Sequence, residues 1–426
     1  MIKQFSVKNY KALESVSIPL TPIHVVIGQN DSGKTSLLKA IHAFCSSTQG
    51  PLVDAFPGMW TGRELVHFGA DQPVVELCAS VVGNGEVLLK YELGVEFPIL
   101  SDHSCKPAHE RIALGDGKMQ EVVLSVLTSS AHGRDVSGSM KEVVLSVLPS
   151  VSTGTTFVEY CRHHEIPAHL PESQKASSLR FVSEQVGPSS FYRLDARVMA
   201  IPAALEPSRR FRMERDGFGL PTLLDDISGY DPERFIALKN EFCEYFPEFR
   251  TIHLQTELAA TRTHQALGLY QSGVAPGKGI YFETRAGATV RAQQASDGAI
   301  LFLGFLSLFY LPTPPKVLLI EEPETGVYPK RLNQIIDILR KMVGSPFNEK
   351  LPQIVFTTHS PYVLTTFKPE EVTFMSKRNG SVVARPLRDA PHIDERLGDG
   401  EFYLGELWYN LDEEELFQDA GRPSGA

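Results

Sequence analysis

Long hydrophobic runs are missing from this 426-residue chain. The longest uncharged, mostly apolar stretch is Ala299 to Leu311, closed by Pro312, whereas a helix crossing a bilayer needs about 20 residues. The opening MIKQFSVKNY has no apolar core of the signal-peptide kind. Cysteine is scarce. The five (45, 78, 105, 161, 243) are scattered, odd in number and contain no CxxC pair, which suits a reducing cytosol and excludes a disulfide scaffold. Positive charge is in deficit, with 41 Lys and Arg against 51 Asp and Glu and a net charge of -10. Such a chain is no general polyanion binder, so any nucleic-acid surface must be a local patch. Sustained heptads are absent too, and with them a long coiled-coil arm.

What is present is ordinary globular composition, 42% hydrophobic and 22% charged, which is incompatible with a disordered chain. The length allows two to three domains of about 150 residues. Ile2, Phe5, Val7 and then Val16, Ile18, Leu20 alternate as two strands joined by a turn. IHVVIG (23–28) reads as a buried strand, and Ser36 to Phe44 has helical spacing. Residues 74–96 read as a hairpin turning at Asn84-Gly85. EVVLSVL occurs at 121–127 and 142–148 and suggests two similar strands of an inserted sheet. Residues 218–247 suggest two short helices capped near Asp231. Later come a hairpin (280–284, 288–291), an apolar helix (299–311), a buried strand (316–320), a helix (328–343) and a buried strand (353–357). Strand–helix–strand with buried strands means a parallel sheet with a crossover helix. A short hairpin (372–375, 381–384) follows. The tail 391–426 has ten acids and two bases and reads as a solvated end.

Three stretches carry chemistry. Gly28 to Thr35 (GQNDSGKT) fits GxxxxGK[ST] between a buried strand and a helix. Glycines there let backbone N–H groups turn toward phosphate oxygens, and the helix N-terminus adds its positive end. Gly28, Asn30, Asp31, Ser32, Gly33, Lys34, Thr35 and Ser36 form the candidate phosphate-binding set. Lys34 should reach the β- and γ-phosphates, and the Thr35 hydroxyl should bind Mg²⁺. KVLLIEE (316–322) delivers two acids at a strand's C-terminal end, where ligands of open α/β sheets bind. Glu321 is expected to hold Mg²⁺ and Glu322 to face the attacking water as general base. In QIVFTTHSPY (353–362), His359 follows a buried strand and can donate a hydrogen bond to a γ-phosphate. QASDG (294–298) precedes the apolar helix. Taken alone it reads as a simple N-cap, with an anion site as the lesser alternative.

With these pieces assembled, the chain resembles the ATP-binding-cassette ATPases of the RecF/SMC/OLD (overcoming lysogenization defect) branch. The resemblance rests on IKQFSVKNYKAL, GQNDSGKT, QASDG, VLLIEEPETGVYP and VFTTHSPYVL, in that order. It implies that Ser296 and Gly298 bind, in trans, the γ-phosphate held by a partner subunit. It implies that 323–329 lie across a dimer interface and that Tyr10 and Lys11 lie near the nucleotide. Gln72 is a candidate Q-loop glutamine. Asp31 stands where many relatives have glycine, and ASDG replaces the signature of transporter cassettes. The 67 residues after His359 are too few for the Toprim nuclease of many OLD relatives.

The expected fold is an α/β ATP-binding-cassette (P-loop) head, residues 1–95 and 279–390, with an inserted β-plus-helical lobe at 96–278 and the acidic tail at 391–426. The expected function is a cytoplasmic, ATP- and Mg²⁺-dependent ATPase switch. It is expected to dimerise through its heads and to control a nuclease or toxin in trans, in phage defence. The alternatives are a RecF-like DNA-binding repair ATPase and a non-hydrolysing ATP-bound scaffold. Arg209, Arg210, Arg212 and Arg215 form a basic cluster that could meet DNA or a partner, though a solvated face is the plainer reading. Cys161, His163, His164 and His169, like His103, Cys105 and His109, lack zinc-finger spacing.

Overall fold

The computed structural model describes residues 1–83, 86–98, 103–114, 120–124, 182–206, 210–264, 269–344, 351–378 and 380–391, with 393, 404, 405 and 417. The chain divides into two compact units, Met1–Ser189 with Leu364–Ala426, and Ser190–Val363.

In the first unit, β1 (Ile2–Tyr10) pairs antiparallel with β2 (Leu13–Pro19) across a tight turn, where Tyr10 faces Leu13. Asn9 and Lys11 adopt the left-handed backbone, φ 57° and 50°, that so short a connection demands. β4 (Val74–Gly83), β5 (Glu86–Glu96), β6 (Lys106–Leu114) and β7 (Gln120–Leu124) extend this sheet in the order β2-β1-β4-β5-β6-β7. The expected hairpin at 74–96 is thus β4 and β5. The first EVVLSVL begins inside β7, while its second copy lies outside the described residues. Phe5 and Phe44 meet edge-on with centroids 5.7 Å apart, and Phe44 meets Tyr91 at 5.3 Å. β3 (Ile23–Gly28) is buried throughout and leads through the glycine loop into α1 (Lys34–Ser46). β3 runs parallel to β15 (Val372–Arg378), which pairs antiparallel with β16 (Ser381–Pro386).

His24 on β3 is wholly buried. Its Nε2 lies 2.9 Å from Thr373 Oγ1 on β15, and its Nδ1 lies 3.1 Å from Thr21 Oγ1. Burial, and secondarily the charge of Arg388, holds its pKa down to about 3. Above the unfolded value of about 6.5 neither state carries the proton, so His24 adds no pH dependence there. As pH falls below that value the unfolded chain takes up a proton that the folded chain refuses. Stability is therefore lost from pH 6.5 down toward 3, at up to about 1.4 kcal/mol per pH unit. His24→Gln keeps a donor and an acceptor but cannot titrate. Its melting temperature should fall less than the wild type's between about pH 7.5 and about pH 5. Equal falls in the two proteins would rule His24 out as the cause.

In the second unit, β13 (Val317–Glu321) lies between β14 (Gln353–Thr358) and β8 (Ser189–Tyr192). β13 and β14 are buried at every residue and parallel, with Glu321 opposite Thr357, and the crossover helix α5 (Pro329–Val343) joins them. This is the strand–helix–strand unit the sequence pattern predicts. α2 (Leu220–Tyr230) and α3 (Pro232–Tyr245) meet at Asp231, whose Oδ1 accepts from Arg234 N at 3.0 Å, while Pro232 fills the first helical position. β10 (Phe249–His264) and β11 (Leu269–Thr284) form a hairpin of two sixteen-residue strands; the short β9 (Ala203–Ala204) pairs with both of them, and β12 (Thr289–Arg291) borders β11. The sequence reading found only the end of this hairpin. α4 (Asp297–Phe309) is buried from Ala299 onward, and Phe302 packs on Phe242, Tyr245 and Phe246. Among the described residues no helix is long and apolar enough to cross a membrane.

Candidate functional site

The phosphate loop belongs to the first unit. Gly28 closes β3 opposite Met375, and a Cβ at Gly28 would collide with the Met375 carbonyl, so the strand end tolerates no side chain. Gly33 adopts φ 87° as the N-cap of α1 and packs against Leu13 and Val382. Asp31 also sits in the left-handed region, φ 67°. Glycine is favoured there and Asp and Asn are the best-tolerated substitutes, which accounts for the departure from the glycine of many relatives. Its carboxylate is exposed, 3.7 Å from Lys377 Nζ. Gln29 and Asn30 are exposed and Ser32 is buried, with Ser32 N donating to Gln29 O at 3.3 Å. Lys34 is 6% exposed. Its ammonium folds back on the loop, donating to Gly28 O at 2.9 Å, Gln29 O at 2.6 Å and Ser32 Oγ at 3.4 Å. Thr35 and Ser36 follow, half-buried in the first turn of α1. N–H groups of a helix's first turn are the ones left for an outside acceptor. Glycine-lined backbone, a helix start and an inward ammonium fit a polyphosphate.

Tyr10 is fully buried beside Phe56, and its hydroxyl meets no hydrogen-bond partner. Burial pushes its pKa well up. Its ring is therefore not exposed for contact with a nucleotide. Gln72 lines an open surface hollow with Asn9, Glu14, His67 and Asp71.

The acidic strand end belongs to the second unit. Glu321, the last residue of β13, is 3% exposed, and its Oε2 accepts from Arg215 Nη2 at 2.6 Å. Glu322 leaves the strand with φ 49°. That conformation costs a non-glycine residue about 1–3 kcal/mol. Its N–H, anchored on Thr357 O at 3.1 Å, holds the turn, which swings the carboxylate out of the strand's alternation. Glu322 Oε2 accepts from Arg193 Nη2 at 3.0 Å, and Glu322 Oε1 lies 3.2 Å from His359 Nε2. An ionised carboxylate only accepts, so His359 Nε2 carries the proton in this pair. His359 is further fixed through its backbone N–H, which donates to Glu324 Oε1 at 2.6 Å. The same oxygen accepts from Thr358 Oγ1 at 2.8 Å. The structure thus brings Glu321, Glu322 and His359 together within one unit.

Arg193 carries no motif and sequence reasoning missed it, while Glu324 lies within the PETGVYP motif (323–329) but was given no role of its own. Arg193 is 129 residues from its carboxylate in sequence, and no local pattern announces such a pair. The basic cluster divides. Arg209 lies outside the described residues, Arg210 is 3.9 Å from Asp226, and Arg215 is committed to Glu321 while its guanidinium stacks on Phe191 at 4.3 Å. Ser296 caps α4, accepting from Ala299 N at 3.3 Å. Ser296 and Asp297 are exposed while the helix behind them is buried, and a Cβ on Gly298 would meet nothing within 4 Å.

Among the described residues no cluster of three or more His, Cys, Asp or Glu side chains could hold a metal ion alone. Cys161, His163, His164 and His169 lie outside those residues. The Thr35 hydroxyl of the first unit and the Glu321 carboxylate of the second are each, taken singly, oxygen donors of the kind Mg²⁺ accepts beside water and substrate phosphates.

An AAA ATPase domain model matches residues 1–113, and an AAA domain model whose description names the AbiEii toxin and a type IV TA system matches residues 165–365. A 41-residue stretch is 44% identical to the OLD nuclease of Thermus scotoductus, covering 10% of this chain and 8% of that protein. Both models are of AAA domains and between them they match most of the chain, which makes it an AAA/ABC-type ATPase by sequence; the short stretch shows only a local similarity to an OLD nuclease. Among solved structures it is similar to an Smc head bound to the C-terminal winged-helix domain of ScpA, at 14% identity and TM-score 0.47 over 90% of this chain and 96% of that one. It is also similar to an Smc head with an extended coiled coil bound to the C-terminal domain of ScpA derived from Pyrococcus furiosus. That likeness is at 13% identity and TM-score 0.46 over 93% and 99%. An SMC head domain from Thermotoga maritima gives 11% and 0.39 over 90% and 98%.

Proposed function

We propose that the chain binds and hydrolyses ATP as a switch that closes into a dimer and controls a nuclease or toxin in trans, in phage defence. One observation carries the hydrolytic part. Glu322 is forced off the end of a buried strand into a left-handed turn and gripped between Arg193 and His359. Strain of that kind persists where function requires it. Lys34 and the loop N–H groups take the phosphates. Thr35 and Glu321 are the residues that would hold Mg²⁺, which would supply neutralisation of phosphate charge. Glu322 orients the attacking water and takes its proton. The His359 Nε2–H that now faces Glu322 is the donor that a γ-phosphate would compete for.

The effector part is supported by the company of the sequence, an AAA model whose description names a toxin and a stretch shared with a nuclease. Two of the four clustered arginines, Arg210 and Arg215, have acidic neighbours, which makes those two poorer contacts for a phosphate backbone. Turnover of ATP by the purified chain, with and without Mg²⁺ and DNA, tests the reading. Release of phosphate that needs Mg²⁺ supports it, and binding without release makes the chain a scaffold.

Ser296 stands exposed and Gly298 half-buried at the start of a buried helix, and helix starts donate to anions. A second copy would complete the γ-phosphate shell symmetrically. In Glu322→Gln, ATP should trap a closed dimer, and adding Ser296→Arg should release it. A distance probe across the heads reads closure even if the chain is already dimeric. An unchanged distance on adding ATP would count against this arrangement.

A further inference from the structure

The Glu321–Glu322 pair already has cations, and both come from one backbone pairing. Arg193 N donates to Arg215 O at 2.7 Å, and Asp195 N donates to Asp216 O at 3.0 Å. This juxtaposition presents two guanidiniums to two consecutive carboxylates, Arg215 to Glu321 at 2.6 Å and Arg193 to Glu322 at 3.0 Å. The two members of the first pair differ in freedom. The Glu321 side chain is 2% exposed and fixed at the end of a buried strand, whereas that of Arg215 is 41% exposed. A guanidinium so placed can swing into water and be hydrated there; the carboxylate cannot follow it. A divalent ion bound to Glu321 would lie within a few ångströms of the guanidinium, and like charges at that distance repel strongly beside a buried strand.

We infer that Arg215 is the resident counterion of Glu321 and a built-in competitor of the divalent metal, leaving the carboxylate when Mg²⁺ and nucleotide arrive. The inference rests on the proposed nucleotide reading of this site and adds to it a residue that no motif supplies. Its consequence is that the metal's contribution to nucleotide binding is held down in the native protein. Breaking the pair from the arginine side takes a cation away from a buried carboxylate, which favours any cation able to replace the lost one.

The test measures binding of a fluorescent ATP analogue to the full chain in excess EDTA and in excess Mg²⁺. The readout is the ratio of the two dissociation constants. In Arg215→Ala this ratio should rise about tenfold over the wild type, equivalent to ~1.4 kcal/mol of extra metal dependence. Arg215→Gln keeps a neutral donor toward Glu321 and should give a smaller rise, and it serves if the alanine variant does not fold. Arg210→Ala removes the same charge near Asp226 and should leave the ratio unchanged. If Arg215 were a phosphate ligand instead, its loss would weaken binding equally with and without metal. An unchanged or reduced ratio in folded Arg215 variants overturns the exchange while leaving the nucleotide reading intact. A wild type that binds the analogue under neither condition overturns both.

Discussion

Glu322→Gln should retain ATP and lose turnover by about 100-fold or more, a barrier increase of ~2.7 kcal/mol. The substitution is nearly isosteric, and the structure makes it a clean test. The turn at residue 322 is held by its backbone N–H on Thr357 O, which the variant keeps. A glutamine oxygen can still accept from Arg193 or from His359. What disappears is the capacity to take a proton from water. Binding should therefore survive while chemistry stops, and single-turnover measurements should show bound ATP persisting. Wild-type hydrolysis by Glu322→Gln would remove Glu322 as the base. Glu321→Ala should behave differently. It removes a buried carboxylate paired with Arg215, so its defect should appear as altered Mg²⁺ dependence. Two adjacent acids with distinguishable phenotypes are expected because one closes the strand in its alternation and the other has been turned out of it.

Much of this was legible from the sequence because continuous apolar runs betray buried strands. IHVVIG, VLLIE and QIVFTT are buried at every position, and each delivers its candidate residues at its C-terminal end. The capped helix pair at Asp231 was legible through an Asp-Pro start. The long β10–β11 hairpin was not. Along β10, buried Ile252 and Ala259 are interspersed with Arg250, His253, Gln255 and Glu257, so a half-wet ribbon gives no sustained alternation. Arg193 and Arg215 were illegible as site residues for another reason. Their partners are 129 and 106 positions away, and an ion pair across that distance leaves no spacing to read. Tyr10 misled in the opposite direction. An aromatic beside a lysine matched a family pattern, yet left-handed Asn9 breaks the alternation of β1 after Val7 and that ring ends in the core.

Lys34→Ala should weaken ATP binding by about 10- to 100-fold. A hydrogen bond to a charged partner is worth ~1.5–3 kcal/mol, and each 1.4 kcal/mol is tenfold in affinity. The structure shows what the ammonium does before a phosphate arrives. Sitting 6% exposed, it donates to the carbonyls of Gly28 and Gln29 and ties the loop's two walls together. The variant thus loses two things at once, a cation for the phosphates and a brace for the loop that cradles them. Lys34→Met separates these contributions. It refills much of the aliphatic volume without charge, so recovery of loop stability without recovery of affinity assigns the affinity loss to the charge itself. Titration with a fluorescent ATP analogue, alongside melting curves without nucleotide, reads both quantities. Wild-type affinity in folded Lys34→Ala would show that this loop does not hold the polyphosphate.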